Sequence, residues 1–512
     1  MHILSIDLGT SGPKVALVSE TGDIVASAAG AVQTRVVPQG GAEQDAEEIW
    51  SSVVGAMKQV IAEAAVAAEQ IAAITCSSQY FSVVPVDREL RPVMDLILWM
   101  DSRGARHTQE LYGTHPSAFE TWIEICGMMP LPTGNDSLSH MLYVRHERPE
   151  VYERTFKFLE PVDFLLARLT GVCTSNLCTA FPLLLTDNRD LTTLDYDTEL
   201  LRMAGIDREK LADLLPIGAE AGRLHPEVAA ELGLSPKTRV FSGTNDTQAA
   251  AVGTATFRAG AGAINVGTTS QVLAHVGGKK SDLANALLSM PSPIAGRYMV
   301  MAENGLGGKP LDHFLRNVVF ADDALGRHST TAPFAAVEAV VAAAPAGSNG
   351  LLYFPWLTGA QCPESSPATR GGFLNITLGT TRAHMVRAIL EGVAFNMRWV
   401  LPAVESFCDT RFDELLFCGG AAVSDAWSQI LADIVDRPVG QLAEPRYVNN
   451  RGTAFLGFVA MGVLGLDDID RLCRVHRRYE PRAATRQTYD ELFAQFLAAF
   501  AQTRPVFEAL NQ

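Results

Sequence analysis

The beginning of the chain alternates short apolar segments with one amphipathic segment, and their order predicts an α/β domain. Residues 3–18 alternate apolar with small or polar side chains around a Gly-Thr-Ser-Gly turn, which predicts a strand, a tight turn and a returning strand. Residues 23–29 carry another strand signal, and from Asp45 apolar residues recur at helical spacing. The run 71–76 predicts a buried strand that ends at polar residues 77–79. This order is typical of α/β domains, in which ligands bind at strand ends.

The opening motif recurs once, about half a chain later. The segment SIDLGTSG at 5–12 reappears as AINVGTTS at 263–270. Each copy is an apolar strand that enters a Gly-Thr-hydroxyl turn and continues into a second apolar stretch. A duplicated domain explains this better than chance does, so we predict two domains, residues 1–247 and 258–512, with a bridging segment near 248–258.

Gly-Thr turns of this kind suit the binding of phosphate. Backbone N–H groups and short hydroxyls, with no bulky Cβ in the way, form a concavity for phosphate oxygens. One such turn is a weak signal, but two turns in equivalent places favour a phosphate chain held between the halves. Asp7 would repel an anion, so we interpret it as a ligand, through water, of the Mg²⁺ that accompanies ATP.

Two further glycine segments are candidates for the nucleotide pocket. Residues 415–418 predict a buried strand that runs into a Gly-Gly turn and a helix, and residues 304–308 precede a predicted helix at 310–318. A strand-to-helix turn without a ligand explains either segment alone. The nucleotide-binding candidates are Thr10, Ser11, Lys14, Gly267, Thr268, Thr269, Gly307, Gly308, Gly419, Gly420 and Ala421.

Asp246 is the candidate catalytic base. It follows the strand signal 239–241 and a glycine, and it precedes small residues that can open a helix. An acid at a strand end that faces an interdomain cleft is well placed to accept a proton. The simpler alternative is that Asn245 or Asp246 caps the next helix, and both roles are compatible.

Composition narrows the function classes. With 47% hydrophobic and 19% charged residues, the 512-residue chain has the material for packed cores. A net charge of −16 disfavours sequence-independent binding to nucleic acid. Eight cysteines without a CxxC pair predict reduced, structural thiols. The first residues lack the features of a signal peptide, and no run of 18 apolar residues occurs, so we expect a cytoplasmic protein.

Several motifs resemble the FGGY carbohydrate kinase family, part of the actin, hexokinase and heat-shock-70 ATPase superfamily. They span nearly the whole chain in order: IDLGTSGPKVAL, AEQDAEEIW, LWMDSRG, GTNDTQAAAVG, INVGTTSQV, TTRAHMVRAILEGVAF and LLFCGGAAVSDAWSQILADI. The resemblance implies an α/β fold of two actin-like (ribonuclease H-like) domains with the active site in the cleft between them. It also implies phosphoryl transfer from Mg·ATP to a sugar hydroxyl.

The resemblance also implies residue roles. Asp246 corresponds to the catalytic base, and Asp7 to the Mg²⁺-associated acid, with Asp246 beside the metal. The expected sugar-binding residues are Gln79, Tyr80, Phe81, Trp99, Asp101 and Asp246. The expected partner is a small sugar or polyol, with no nucleic acid and no membrane, and a homodimer is a compatible assembly.

Within the family the motifs are most similar to the xylulokinase group, which implies D-xylulose as acceptor and D-xylulose 5-phosphate as product. That group usually has Gln-Met-His-Gly where this chain has Gln79-Tyr80-Phe81-Ser82, so aromatic surface replaces a polar contact. The usual Gly-Glu-Arg-x-Pro block is also replaced, by residues 359–363. A kinase of ribulose, a pentitol or a glycerol-like polyol is therefore an alternative.

Two hypotheses come from other classes. An ATPase of the actin or heat-shock type would act on protein partners, but no substrate-binding domain for them is apparent. A non-catalytic, sugar-binding regulator has no physical need for both Asp7 and Asp246. Elsewhere, we assign the cluster Arg471, Arg474, Arg477 and Arg478 to a solvated helix face and its exit.

Overall fold

Two β-sheets, one in each half of the chain, form the framework of the computed structural model, which describes residues 1–511. The strands of the first half are β1 His2–Gly9, β2 Gly12–Ser19, β3 Ile24–Ala29, β4 Arg35–Val37, β5 Gly41–Gln44, β6 Ile71–Ser78, β7 Val84–Val86, β8 Leu96–Ile97, β9 Lys157–Leu159, β10 Thr174–Asn176, β11 Asp213–Leu215, β12 Glu220–Arg223, β13 Arg239–Phe241 and β14 Thr244–Asn245. Its helices are α1 Ala46–Glu63, α2 Ala105–Thr114, α3 Ala118–Ile125, α4 Ser137–Glu147, α5 Pro149–Arg154, α6 Pro161–Thr170, α7 Leu177–Ala180, α8 Thr198–Ala204, α9 Pro226–Leu232 and α10 Asp246–Gly253.

The second half is built in the same manner. Its strands are β15 Gly262–Val266, β16 Thr269–Val276, β17 Ser281–Asp282, β18 Leu287–Pro291, β19 Tyr298–Leu306, β20 Asp322–Asp323, β21 Gly326–Arg327, β22 Leu352–Phe354, β23 Gly372–Leu374, β24 Leu415–Cys418, β25 Val439–Leu442 and β26 Val475–Tyr479. Its helices are α11 Lys309–Phe314, α12 Val337–Ala342, α13 Arg382–Phe407, α14 Asp425–Val435, α15 Val448–Ala460, α16 Leu466–Leu472 and α17 Ala483–Leu510. No helix formed by residues 1–511 has the length and apolar surface that a membrane crossing requires.

The two sheets share a central arrangement. In the first sheet the order is β12-β13-β6-β1-β2-β3, with β14 also paired to β6. In the second it is β17-β18-β19-β16-β15-β24-β25-β26. Each contains an antiparallel hairpin, β1–β2 or β15–β16, whose first strand also pairs with a parallel strand, β6 or β24. The two copies of the opening motif therefore form equivalent hairpins in an α/β fold.

Local sequence explains where the helices begin. The Asp45 side chain accepts hydrogen bonds from the backbone of Glu47 and Glu48 and so caps α1. The buried stripe of α1 includes Ile49 and Val53, which belong to the predicted helical spacing. Ser424 caps α14 in the same way, since it accepts from the backbone of Trp427.

Helices α10 and α15 cross between the halves. Glycine makes this close approach possible, because a Cβ at Gly452 would lie 1.9 Å from the carbonyl oxygen of Ala249. A Cβ at Gly253 would lie 2.2 Å from the carbonyl oxygen of Val448. Although α15 comes from the second half, its Asn450 side chain donates to the backbone oxygen of Ser5 in β1 at 3.1 Å. The two halves therefore share a buried seam rather than a single linker.

The assignment of the C-terminal arginines to a helix face and its exit holds for Arg471 and Arg474 but is wrong for Arg477 and Arg478. Only Arg471 lies in a helix, α16, whereas Arg477 and Arg478 lie in β26 at the edge of the second sheet. Tyr479 pairs with Val439 across to β25, so the backbone hydrogen bonds of a sheet edge determine this segment. Arg477 and Arg478 form exposed ion pairs, with Asp425 and Glu414.

Candidate active site

Three strands of the first sheet end beside one another, and the polar residues at their ends form the core of the site. Strands β1 and β6 run parallel, with Asp7 opposite Ser77. Strand β14 also runs parallel to β6, with Asn245 opposite Ser78, and Asp246 follows directly. Because parallel strands end at the same edge of a sheet, Asp7 and Asp246 lie at one edge, as predicted for a ligand site.

Asp7 is buried, and three polar side chains donate hydrogen bonds to its carboxylate. Its carboxylate accepts hydrogen bonds from Lys14 Nζ at 2.8 Å, Ser77 Oγ at 2.9 Å and Asn449 Nδ2 at 3.1 Å. Lys14 lies opposite Asp7 in the β1–β2 hairpin, and the charge of Asp7 raises the pKa of Lys14. Asn449 comes from the start of α15, so the second half contributes to the site around Asp7.

Asp246 is the first residue of α10, and Asn245 occupies the cap position. The backbone N–H of Thr247 donates to Asp246 Oδ1 at 2.7 Å. Burial raises the pKa of Asp246 to about 7, and the charge of Asp7 adds to the shift. A carboxyl group with this pKa can take up and release a proton near neutral pH, which is the property of a general base. The Asn245 side-chain oxygen accepts no hydrogen bond within residues 1–511, and one carboxylate oxygen of Asp246 is also free of protein hydrogen bonds there.

The Thr10 hydroxyl hydrogen-bonds to both Gln79 and Trp99 and so connects these side chains to the β1–β2 turn after Asp7. The Thr10 hydroxyl donates to Gln79 Oε1 at 2.5 Å and accepts from Trp99 Nε1 at 3.1 Å. Thr10 is therefore placed with the predicted sugar-binding residues, although the sequence assigned it to the nucleotide. Ser11, the next residue of the turn, is exposed.

Tyr80 and Phe81 form an aromatic wall that reaches the second half. Their ring centroids lie 4.9 Å apart, and Phe81 has a left-handed backbone, with φ of 57°. The Tyr80 hydroxyl lies 3.9 Å from the sulfur of Met301 in β19. Burial raises the pKa of Tyr80, so this phenol is neutral at physiological pH.

The carboxylate of Asp101 does not line this wall, because other groups of the protein occupy it. The residue is fully buried, and its carboxylate forms an ion pair with Arg103 at 2.6 Å and accepts from the backbone of Ala42 at 2.9 Å. No hydrogen bond within residues 1–511 joins the Asp101 carboxylate to the residues around Asp7. The structure therefore places Asp101 behind the segment that carries Trp99.

Three glycine segments of the second half come together at the ends of β15, β19 and β24. The backbone N–H groups of Gly307 and Gly308 donate to the carbonyl oxygens of Thr268 and Gly267, at 2.9 Å and 2.8 Å. Gly419 packs against the end of β15, where a Cβ would lie 2.5 Å from Val266 O, and its φ is 88°. Gly420 follows directly, and Ala421 is buried behind it. The predicted nucleotide residues of this half form one surface.

The residues present fit a nucleotide and its metal. A Cβ built at Gly267 or Gly420 meets no atom within 4 Å, so each glycine faces open space rather than a packed neighbour. No group of three His, Cys, Asp or Glu residues among residues 1–511 is arranged to hold a metal ion directly. Mg²⁺ commonly keeps several waters and binds through one or two carboxylates plus phosphate oxygens, which Asp7 and Asp246 can support.

Sequence reasoning missed two residues of the cleft. Asn449 reaches Asp7 only because α15 crosses to the first half, and its sequence neighbourhood carries no signal of that contact. Glu303 lies in β19, and the charge of Asp246 contributes to raising the pKa of its carboxyl group. A single acid in the otherwise apolar stretch 298–303 is the signal that identifies Glu303 in retrospect.

Family models account for most of the chain. Residues 2–253 match the N-terminal domain of the FGGY family of carbohydrate kinases, and residues 262–461 match its C-terminal domain. The chain belongs to the FGGY family of carbohydrate kinases. It is therefore an enzyme that uses ATP as phosphate donor and a small sugar-type molecule as acceptor.

Curated relatives with different names are about equally similar. A xylulose kinase of Bacillus subtilis (strain 168) is 26% identical over 100% of this chain and 99% of its own length. A gluconokinase of the same organism is 26% identical over 97% of this chain and 95% of its own length. A glycerol kinase of Citrifermentans bemidjiense is 28% identical over 94% of each chain.

Solved structures show the same two-domain α/β fold. A gluconate kinase from Lactobacillus acidophilus superposes with a TM-score of 0.85 at 22% identity, over 99% of both chains. A ligand-bound xylulose kinase from the same organism superposes with a TM-score of 0.85 at 23% identity, over 99% of both chains. The expected actin-like architecture is thereby confirmed.

Proposed function

We propose that the protein transfers the γ-phosphoryl group of Mg·ATP to a hydroxyl of a ketose, with D-xylulose as the first candidate and D-xylulose 5-phosphate as the product. The name of the Bacillus subtilis xylulose kinase supports this acceptor, as do the motifs of the xylulokinase group. The gluconokinase and glycerol kinase relatives are as similar, so ribulose, pentitols and glycerol are the alternatives among neutral acceptors.

The observation that carries the proposal is the position of Asp246. It lies at the strand edge that holds Asp7, its carboxyl has one free oxygen, and its pKa is raised to about 7. As the acceptor oxygen bonds to the γ-phosphorus and ADP leaves, Asp246 takes the proton of the hydroxyl. The same carboxylate orients that hydroxyl before the reaction.

The other residues of the site would bind the nucleotide, its metal ion and the sugar, and would position them for the transfer. Asp7, held by Lys14 and Ser77, would fix the waters of the metal ion on the side of the phosphates. Mg²⁺ bound with the nucleotide would neutralise charge on the phosphate oxygens. The backbone at Gly267, Thr268 and Thr269 would cradle those oxygens. Gly307, Gly308, Gly419, Gly420 and Ala421 would form the rest of the nucleotide pocket, while Gln79, Tyr80, Phe81 and Trp99 hold the sugar.

The test is ADP release measured over D-xylulose, D-ribulose, ketohexoses, pentitols and glycerol. We expect release that depends on the acceptor, with D-xylulose among the best acceptors and with measurable activity on neighbouring five-carbon compounds. A broad range of acceptors is expected, because an apolar wall weakens the transition-state binding of a wrong acceptor by only about 1–3 kcal/mol per missing group. Release without any acceptor would indicate an ATPase of the actin or heat-shock type. Binding of a sugar without release would indicate a regulator.

A further inference from the structure

Glu303 is an acid of the second half that faces the acceptor side of the cleft. Along β19, alternate residues point to opposite faces, so Met299, Met301 and Glu303 share one face. Val300 and Ala302, between them, pack in the core of the second half. Met299 and Met301 instead belong to an apolar cluster that includes residues of both halves, and the sulfur of Met301 lies 3.9 Å from the Tyr80 hydroxyl of the first half. This face of β19 therefore looks across the cleft, and Glu303 is its last member before the glycine segment.

The position of Glu303 is rigid. Its backbone pairs with Gln271 in the neighbouring strand, and its carbonyl oxygen accepts from the N–H of Cys362 at 3.2 Å. The next residue, Asn304, is buried and exchanges hydrogen bonds with the backbone and side chain of Asn396, at 3.2 Å and 2.8 Å. Because these contacts hold the backbone at Glu303, they limit the positions that its side chain can take up in the cleft.

The carboxylate of Glu303 has no partner of its own. No hydrogen bond or ion pair formed by residues 1–511 involves it, although the side chain is half-buried. Burial and the nearby charge of Asp246 raise the pKa of Glu303 to about 7. The Tyr80 hydroxyl, 3.9 Å from Met301, lies on the same side, and the charges of Asp246 and Glu303 both contribute to raising the pKa of Tyr80. Glu303 and Tyr80 therefore both lie near Asp246, the proposed base.

The cations among the proposed site residues and beside them are already paired with other acids. Lys14 is paired with Asp7 at 2.8 Å. Arg103 is paired with both Asp101 and Glu43, at 2.6 Å and 2.8 Å. The wall of the acceptor space therefore carries excess negative charge once Asp246 and Glu303 are ionised. A carboxylate oxygen accepts hydrogen bonds from hydroxyls but repels another carboxylate.

We propose that Glu303 is a specificity-determining residue that selects a neutral polyol or ketose as acceptor and excludes sugar acids. It does so by accepting hydrogen bonds from acceptor hydroxyls and by repelling an acceptor that carries a carboxylate. The inference rests on the proposed function and narrows it, because the relatives of this chain include both gluconokinases and kinases named for neutral acceptors.

The test compares D-gluconate with D-xylulose and xylitol at pH 8, above the pKa of about 7 of both acids. In the wild type, kcat/KM for the better neutral acceptor should exceed that for gluconate at least about tenfold. Glu303→Gln keeps the size and one accepting oxygen but removes the charge, and it should reduce this ratio at least about threefold through a lower KM for gluconate. Glu231→Gln, on an exposed acid paired with Lys58, is the matched control and should leave the ratio unchanged.

Gluconate as the preferred acceptor of the wild type, or an unchanged ratio in Glu303→Gln, would overturn the role of Glu303. Calorimetric binding of xylitol and gluconate to the same variants measures the ratio of affinities without turnover. If the wild type phosphorylates no acceptor, the proposed function fails, and the calorimetric ratio still decides on Glu303. Equal affinities for xylitol and gluconate, or no binding of either, would contradict the selection we propose.

Discussion

At the scale of single residues, the most direct test concerns Asp246. Asp246→Asn keeps the size of the side chain and one accepting oxygen, but the amide cannot take up the proton of the acceptor. Since general-base assistance contributes about 10²–10⁴-fold, kcat should fall at least about a hundredfold. Steady-state ADP release with the best acceptor measures this fall, and nucleotide affinity should change little.

Stability provides the control for that variant. A carboxyl whose pKa is raised on folding holds its proton more tightly in the folded state, so its ionisation lowers the free energy of unfolding as pH rises from about 4 to about 7. At pH 8, Asp246→Asn removes this cost, and its Tm should equal or exceed that of the wild type. A variant that loses activity and also unfolds at a lower temperature would not support the role of base. A kcat near that of the wild type would show that Asp246 is only the first residue of α10 and not the base.

The pH dependence follows from the same pKa. Because burial and the charge of Asp7 raise the pKa of Asp246 to about 7, the base is mostly protonated below neutrality. The kcat/KM for the acceptor should rise about tenfold per pH unit below pH 7 and level off above it. The residual rate of Asp246→Asn should lack this rise. A flat wild-type profile between about pH 5.5 and 8 would show that another group accepts the proton.

Asp7 should respond differently because its proposed partner is the metal. Asp7→Asn removes one anchor of the metal-bound water, so activity should fall at a fixed Mg²⁺ concentration and recover in part with excess Mg²⁺. Excess Mg²⁺ should not rescue Asp246→Asn. The loss of the Asp7 charge should also shift the acceptor pH profile to lower pH, since that charge contributes to the raised pKa of Asp246. Equal Mg²⁺ dependence in wild type and Asp7→Asn would contradict this assignment.

At the scale of elements, the parts of the site that sequence could predict are those defined by strand ends. The hairpin around Gly9, the strand ending at Ser78 and the strand before Asp246 all leave a local pattern, and parallel pairing then brings them to one edge. Asp101 was expected in the sugar site but lies buried against Arg103, because a polar motif does not reveal which face of a loop is covered. Glu303 and Asn449 required the three-dimensional arrangement, since each reaches the cleft from an element distant in sequence.

The crossing of α10 and α15 gives an element-scale prediction. Gly452→Ala places a Cβ against the backbone of Ala249, which cannot move aside without displacing α10 and the base at its start. We expect the free energy of unfolding to fall by about 1–3 kcal/mol and kcat to fall with it. The matched control is Gly55→Ala in α1, where a Cβ meets no atom within 4 Å.

Gly55→Ala should stabilise the protein by about 0.5–1 kcal/mol, as is usual for a glycine in a helix interior. Chemical denaturation of the two variants measures both effects. Equal stability of Gly452→Ala and the wild type would show that the seam between the helices is loose, and the argument from close backbone approach would fail.

At the scale of the whole molecule, the duplicated motif was enough to predict two α/β halves with equivalent hairpins. The seam between them was not predictable, because α15 belongs to the second half by sequence yet lies against β1 and β6 through residues such as Asn450 and Thr453. This arrangement means that the segment after Asp246 is not a free linker. The halves are joined at one side and can separate only at the other, where Gly267 and Gly420 face open space.

That geometry predicts how the molecule moves. If ATP lies between the glycine surface of the second half and the edge that holds Asp7, the halves must open to admit it and close to exclude water during transfer. Binding of xylitol together with a non-hydrolysable ATP analogue should therefore reduce the radius of gyration measured by small-angle scattering. Either ligand alone should have a smaller effect, since each occupies only one wall of the cleft. Identical scattering profiles with and without both ligands, at concentrations where calorimetry shows saturation, would contradict a closing cleft and place the transfer reaction in a preformed site.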